Sequence, residues 1–357
     1  MDLTALDKLL NVAPVVVERM HPVSLAYLRN AITVYPSLEQ LALSFDNPLP
    51  IRSDRVLSFD INPQYMSRYP VVTIEHDPFT PELNHVLFEH YDLIAQSMLT
   101  QSQIAVRILA ACLKKETAVL LLLDGLSYAD CRDWPGTEPC LATAPTITRC
   151  GFPTVIGNHP IAAQLFSVGF TQRIGFTYWY RDNNPLTDRL FSTISDVRRL
   201  DPSRSDAFTQ IIDWMVGHDL ANTYIQIVYS ALDEYADGHR TAVPRHAVCQ
   251  QIRHDLESIL DVLQHKGTNA VLFAVADHGV LWKEDSHHIE LVDFTGARYA
   301  EGRNGPGRGR CFQVEGEFYW VLDYPQMGRN WKSTEQGIHG GISFEESIVP
   351  FIQWEVS

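Results

Sequence analysis

Apolar positions along this chain follow two different rhythms, and the change falls near residue 116. Before it, apolar residues recur at helical spacing over residues 9–17, 25–34 and the longer stretch 81–114, the pattern of helices with one buried face. Between them a Pro-punctuated segment, from Asn47-Pro48-Leu49-Pro50 to Tyr69-Pro70, reads as loops and short strands. Beyond residue 116 the rhythm becomes alternating strand and helix. Residues 117–123, 224–229 and 270–276 are nearly unbroken apolar runs, as in strands covered on both faces of a parallel sheet. Val248, Ile252, Leu256, Ile259, Leu260 and Leu263 recur at helical spacing within 244–265, with Lys266-Gly267 as the stop, so a helix crosses over between the second and third strands. Residues 295–310, rich in Gly and Arg, read as a long surface loop, and 312–322 as one strand. The expected fold is α/β: a mostly parallel sheet flanked by helices over 116–357, preceded by a mainly helical region over 1–115.

Composition narrows the function. At 45% hydrophobic and 20% charged residues, the chain has the make-up of a folded globular protein. Its formal net charge of −15 disfavours a broad grip on duplex nucleic acid, which needs a basic surface. The longest apolar run, 118–123, is too short to span a bilayer, and Met1-Asp2-Leu3-Thr4 lacks the basic start of a secretory signal, so a cytoplasmic protein is expected. The six cysteines form no C-x-x-C pair, which removes zinc knuckles and thioredoxin-type redox motifs.

Chemistry-bearing residues cluster where strands end, the usual place for ligand sites in open α/β sheets. The first run exits into Asp124-Gly125, the second into a stretch holding Asp233, Glu234, Asp237 and His239, and the third into Asp277-His278-Gly279. Each taken singly has a bland alternative: a turn, a solvated acidic loop or a buried structural pair. Thr146 and Thr148, in Pro145-Thr146-Ile147-Thr148, are the residue type a metal can activate as a nucleophile, or else they cap the next helix. His339 lies among Gly337, Gly340 and Gly341, where a ligand can approach the backbone, and Ser343 with Glu346 form a capping box. Carboxylates and imidazoles in this number suit two divalent ions, zinc or manganese.

The order of these motifs resembles the alkaline phosphatase superfamily and, within it, the PglZ domain. His339-Gly340-Gly341-Ile342-Ser343-Phe344-Glu345-Glu346, with Pro350 behind it, is the most specific part of the resemblance, which covers about residues 116–357. It implies one metal held by Asp124, Thr148, Asp277 and His278, and a second held by Asp233, His239 and His339, with Asp237 as the alternative to Asp233. It makes Thr148 the nucleophile, with Thr146 as the fallback. Arg303, Arg308 and Arg310 are the candidates for holding a phosphate oxygen. The implied activity is a metal-dependent phosphodiesterase on nucleotides or oligonucleotides, in phage defence or signalling. Residues 1–115, outside the resemblance, are the candidate segment for docking protein partners, and no membrane contact is expected from the short apolar runs. A phosphomonoesterase on the same core and an inactive metal-binding scaffold are the alternatives. A sulfatase is disfavoured, since Cys150-Gly151-Phe152-Pro153 does not match Cys-x-Pro-x-Arg.

Overall fold

The computed structural model describes residues 15–17, 23, 33–35, 56–58, 71–72, 81–156, 161–176, 193–195, 205–239, 243–284, 289–331 and 334–356. The chain divides into two compact units, Met1–Met98 and Leu99–Ser357. In the first, β1 (Val15–Val17), β2 (Thr33–Tyr35), β3 (Val56–Ser58) and β4 (Val71–Val72) form a parallel sheet in the order β2-β3-β1-β4. Helices α1 (Pro81–Glu89) and α2 (Tyr91–Ala95) follow. Val15–Val17 and Thr33–Tyr35 are therefore strands at the ends of segments whose spacing predicts helices; their β-branched and aromatic residues favour sheet pairing over that periodicity. The rest of residues 9–17 and 25–34 lies outside the described residues.

The second unit begins with β5 (Leu99–Thr100), α3 (Gln101–Cys112), β6 (Thr117–Leu123), α4 (Tyr128–Cys131), β7 (Thr137–Leu141), α5 (Thr148–Val155) and α6 (Ile161–Ser167). Next come β8 (Gln172–Phe176), β9 (Thr193–Ser195), α7 (Ser205–Gly217), β10 (Thr223–Tyr229), α8 (Ala231–Ala236), α9 (Arg245–His265) and β11 (Ala270–Ala276). It closes with β12 (Leu281–Trp282), β13 (Glu290–Val292), β14 (Tyr299–Glu301), β15 (Arg310–Val314), β16 (Glu317–Val321), β17 (Gln326–Gly328), β18 (Gly337–Ile338), α10 (Phe344–Ser347) and β19 (Ile348–Val356). The unit starts at Leu99 rather than at 116 because β5 pairs with β7, and α3 buries Ile104, Ile108 and Cys112 in the main core.

The eight-stranded sheet has the order β5-β7-β19-β11-β6-β10-β8-β9. Its strands run parallel except β19, which lies antiparallel between β7 and β11. The fold is thus α/β with a mostly parallel sheet. Every residue of β6 and β11 is buried, which explains their unbroken apolar sequence. The crossover helix α9 buries Val248, Ile252, Leu256, Ile259 and Leu263, the stripe its spacing predicts.

Two expectations for the segment 295–322 change. β14 lies inside the stretch read as a loop, and the single strand read over 312–322 is a hairpin of β15 and β16. Glu315 (φ 52°) and Gly316 (φ 89°) both take the left-handed conformation, as a two-residue hairpin turn requires. β14 joins the hairpin to give a small antiparallel sheet, β14-β16-β15.

Candidate active site

Sheet register brings the acidic residues together. Ala276, Leu123 and Tyr229 stand at the matched ends of neighbouring strands β11, β6 and β10. Asp277, Asp124 and Ser230 therefore emerge side by side, with the Asp124 amide donating to the Tyr229 carbonyl at 2.9 Å. Gly125 turns the chain at φ +85°, and a Cβ there would lie 3.1 Å from the Asp233 nitrogen. That close approach lets α8 carry Asp233 in its first turn back toward Asp124. Because β19 is antiparallel, its beginning lies at the same sheet edge, so the turn before it delivers His339. β7 ends beside the start of β19, with Leu141 opposite Ile348, and leads into the segment of Thr146 and Thr148.

Two groups of potential metal ligands result, Asp124/Asp277/His278 and Asp233/His278/His339, each with donor atoms within 4.8 Å of one another. His278 Nε2 lies 3.4 Å from Asp124 Oδ1 and 3.7 Å from Asp277 Oδ2. His339 Nε2 lies 3.4 Å from Asp233 Oδ1, and the two imidazoles stack with centroids 4.0 Å apart. Each ring turns its other nitrogen to a backbone carbonyl: His278 Nδ1 donates to Gly279 at 3.2 Å and His339 Nδ1 to Thr146 at 3.0 Å. Both Nε2 atoms therefore face the carboxylates. A cation could bind between them; otherwise His278 Nε2 meets the Thr148 hydroxyl and His339 pairs with Asp233. Asp124 Oδ1 and Asp277 Oδ2 are also buried without a hydrogen-bond partner. The residues fit divalent ions, and mixed carboxylate and imidazole donors suit zinc or manganese.

Without a cation the site is strained electrostatically. Burial, then the Asp233 charge, pushes the Asp277 carboxyl up to about 7. Burial followed by the charges of Asp277, Asp233 and Asp237 raises Asp124 well above its ordinary value, the Thr148 hydrogen bond acting against them. Burial, with the neighbouring His339 charge, lowers His278 to about 3. Burial opposes ionisation at Asp233 and His339 as well, but each is outweighed by the other, so Asp233 is lowered and His339 raised.

Thr148 opens α5, and its hydroxyl lies 3.0 Å from His278 Nε2. Thr146 is fully buried and committed elsewhere: its hydroxyl donates to the Gly341 carbonyl at 2.8 Å and accepts from the Gly340 amide at 3.0 Å. Thr148, Asp124, Asp233 and His339 line a cavity of about 540 Å³, together with Arg149, Tyr299 and Glu301. His239 and Asp237 are exposed and belong to neither ligand group; α8 ends at Ala236, and the chain turns at Gly238 before His239. The His239 charge nonetheless acts on Asp233.

The candidate phosphate-binding arginines do not line the cavity. Arg303 lies over Phe318 and Arg310 over Phe312 on the small sheet, and Arg308 is exposed. Arg298, read as part of the same surface loop, is fully buried and paired with Glu346, Nη2 to Oε2 at 2.5 Å and Nε to Oε1 at 3.1 Å. The cavity arginine is Arg149, which no sequence pattern marks beyond its place next to Thr148.

The stretch 339–346 builds the turn that carries His339. Ser343 Oγ accepts from the Glu346 amide at 3.2 Å, as a capping residue does, but the Glu346 carboxylate takes Arg298 and the Gly341 amide instead of reaching back to Ser343. A Cβ on Gly341 would lie 2.3 Å from the Arg298 guanidinium, which accounts for glycine there.

No protein-family model matches the chain, and no curated protein does. Solved structures similar to it include murine ectonucleotide pyrophosphatase/phosphodiesterase 5 in complex with AMP. The identity is 12% over 66% of this chain and 87% of that one, with a TM-score of 0.46. Phosphonoacetate hydrolase from Sinorhizobium meliloti 1021, in complex with phosphonoformate, is 10% identical over 67% of this chain and 90% of its own, with a TM-score of 0.43. The C-terminal periplasmic domain of EcEptC from Escherichia coli, in complex with Zn, is 11% identical over 68% and 74%, with a TM-score of 0.34.

Proposed function

We propose that this chain is a two-metal phosphoester hydrolase that cleaves phosphodiesters of nucleotides or oligonucleotides, with Thr148 as the nucleophile. One observation carries the reading: the Thr148 hydroxyl lies 3.0 Å from His278 Nε2, the atom common to both metal-type groups. Asp124, Asp277 and His278 would hold one ion beside Thr148. Asp233 and His339 would hold the other, and the PglZ-like motif order adds His239 to that set. Bound divalent ions supply Lewis-acid charge to the phosphoryl oxygens and make hydroxyl and water more acidic.

Thr148 stands at the first position of α5, an end that favours negative charge. Its Oγ attacks phosphorus, the bond to the leaving alkoxide breaks on the opposite side, and the hydroxyl proton passes to solvent. Water then attacks the phosphoryl-threonine, which frees the Thr148 hydroxyl and releases the phosphomonoester. Thr146 holds the Gly340–Gly341 turn in place and takes no part in bond making. The PglZ resemblance also supports a setting in phage defence or signalling; residues 1–115, outside that resemblance, are the segment through which protein partners would dock.

Hydrolysis of bis-p-nitrophenyl phosphate and p-nitrophenyl phosphate, with and without chelator, tests the reading. Chelator-sensitive diester hydrolysis is expected, with Thr148→Ala lowering it by about three orders of magnitude or more while metal content stays unchanged. Chelator-resistant turnover, or a Thr148→Ala variant near wild-type activity, would overturn it.

A further inference from the structure

The charged carboxylates that line the cavity are Asp124, Asp233 and Glu301. Among the described residues that line it, Arg149 is the single Lys or Arg. Its guanidinium is gripped at one end: Nη2 donates to Glu301 Oε1 at 2.7 Å and to the Tyr319 hydroxyl at 2.6 Å, and the group lies 5.4 Å over the Tyr319 ring. Glu301 and Tyr319 are cross-strand partners on β14 and β16, and Tyr319 is 3% exposed, so the grip is built into the small sheet. Arg149 Nη1 and Nε meet no acceptor among the described residues, and Arg149 follows Thr148 directly. The unspent donors therefore belong to the residue next to the reacting oxygen.

Glu301 brings a negative charge to the same wall. We propose that Arg149 and Glu301 together make the cavity charge-selective. Arg149 donates through Nη1 to a non-bridging phosphoryl oxygen, while Glu301 disfavours a second negative charge there, so monoanionic phosphodiesters are taken over dianionic monoesters. This rests on the two-metal hydrolase reading. Two divalent ions against Asp124, Asp233 and Asp277 leave one positive charge in surplus, and Arg149 and Glu301 cancel each other. A monoanion neutralises that surplus, whereas a dianion exceeds it.

The test compares wild type with Glu301→Gln and Arg149→Met, all zinc-loaded. In Glu301→Gln the ratio of kcat/KM for bis-p-nitrophenyl phosphate over p-nitrophenyl phosphate is expected to fall about three- to tenfold, through a gain on the monoester. A ratio that holds within about twofold would overturn the proposal. Calorimetric titration with inorganic phosphate and with dimethyl phosphate gives a second readout. Glu301→Gln should tighten phosphate about three- to tenfold and leave dimethyl phosphate unchanged, and Arg149→Met should weaken both. Equal changes for the two probes would again overturn charge selection. If neither ester is hydrolysed by wild type, the hydrolase reading fails, and the titration still decides whether this wall selects charge.

Discussion

Residues at the candidate site are recognisable by what their neighbours force on them. In the metal-free protein Asp277 is raised to about 7 and His278 lowered to about 3, both chiefly by burial. A carboxyl raised in the folded state contributes stability present below its unfolded value and lost as pH rises through its folded value. His339, also raised, acts in the same sense, whereas His278 contributes stability that is lost only as pH falls below about 6.5. Between pH 6.5 and 8 the His278 contribution is flat, so the metal-free protein should lose stability as pH rises. Metal binding removes that loss, and fewer protons compete for the ligands at the higher pH. Thermal melting with chelator and with zinc should show a gap between the two midpoints that widens from pH 6.5 to pH 8; a gap that narrows would contradict these assignments. Asp124, Asp233, Asp277, His278 and His339 were legible in the sequence because each follows an apolar run or sits among glycines. Arg149 was not, since adjacency to a threonine carries no pattern of its own. Tyr299 and Glu301 were hidden because their strand lies in a stretch whose Gly and Arg content reads as a loop.

At the level of elements, the buried Arg298–Glu346 pair ties the turn before β19 to the rim of the small sheet. Arg298 also donates to the carbonyls of Asp323 and Gln326, and Glu346 accepts from Gly341, so the pair holds the backbone on both sides. Glu346→Gln would leave a buried guanidinium without its counter-charge, a change that costs about 3–5 kcal/mol. Urea unfolding of that variant should show a loss of this size, while a loss below about 1 kcal/mol would mean that solvent or another group replaces the carboxylate. The 339–346 motif was legible as a pattern, but its purpose was not: pairing of Glu346 with Arg298, 48 positions earlier, depends on β14 and β19 being brought together. The sequence of β15 and β16 reads as one strand because the Glu315-Gly316 turn interrupts the pattern for two residues only.

For the molecule as a whole, the buried parallel strands were the most legible feature, since coverage on both faces leaves unbroken apolar runs. The antiparallel course of β19 was not legible, because a buried strand has the same composition in either direction. That course puts His339 at the sheet edge where Asp124 and Asp277 emerge. No helix among the described residues is long and apolar enough to cross a membrane. Five of the six cysteines are buried; burial pushes the thiols of Cys112 and Cys249 up to about 12 and Cys150 to about 11, and it raises Cys131 and Cys140 as well. Cys311 is exposed. Ellman's reagent at neutral pH should therefore find one fast thiol in the native protein and six after denaturation. Several fast thiols in the native protein would contradict the packing of the core.

Two metal ions are expected where the strand ends meet the 339–346 turn. Elemental analysis of the purified chain after dialysis against zinc, alongside His339→Ala and His239→Ala, tests this most directly. About two ions per chain are expected in wild type and about one in His339→Ala, with His239→Ala showing whether that residue joins the second set. A wild-type chain that retains no metal would rule out the site, and a His339→Ala variant that retains as much as wild type would remove His339 from it.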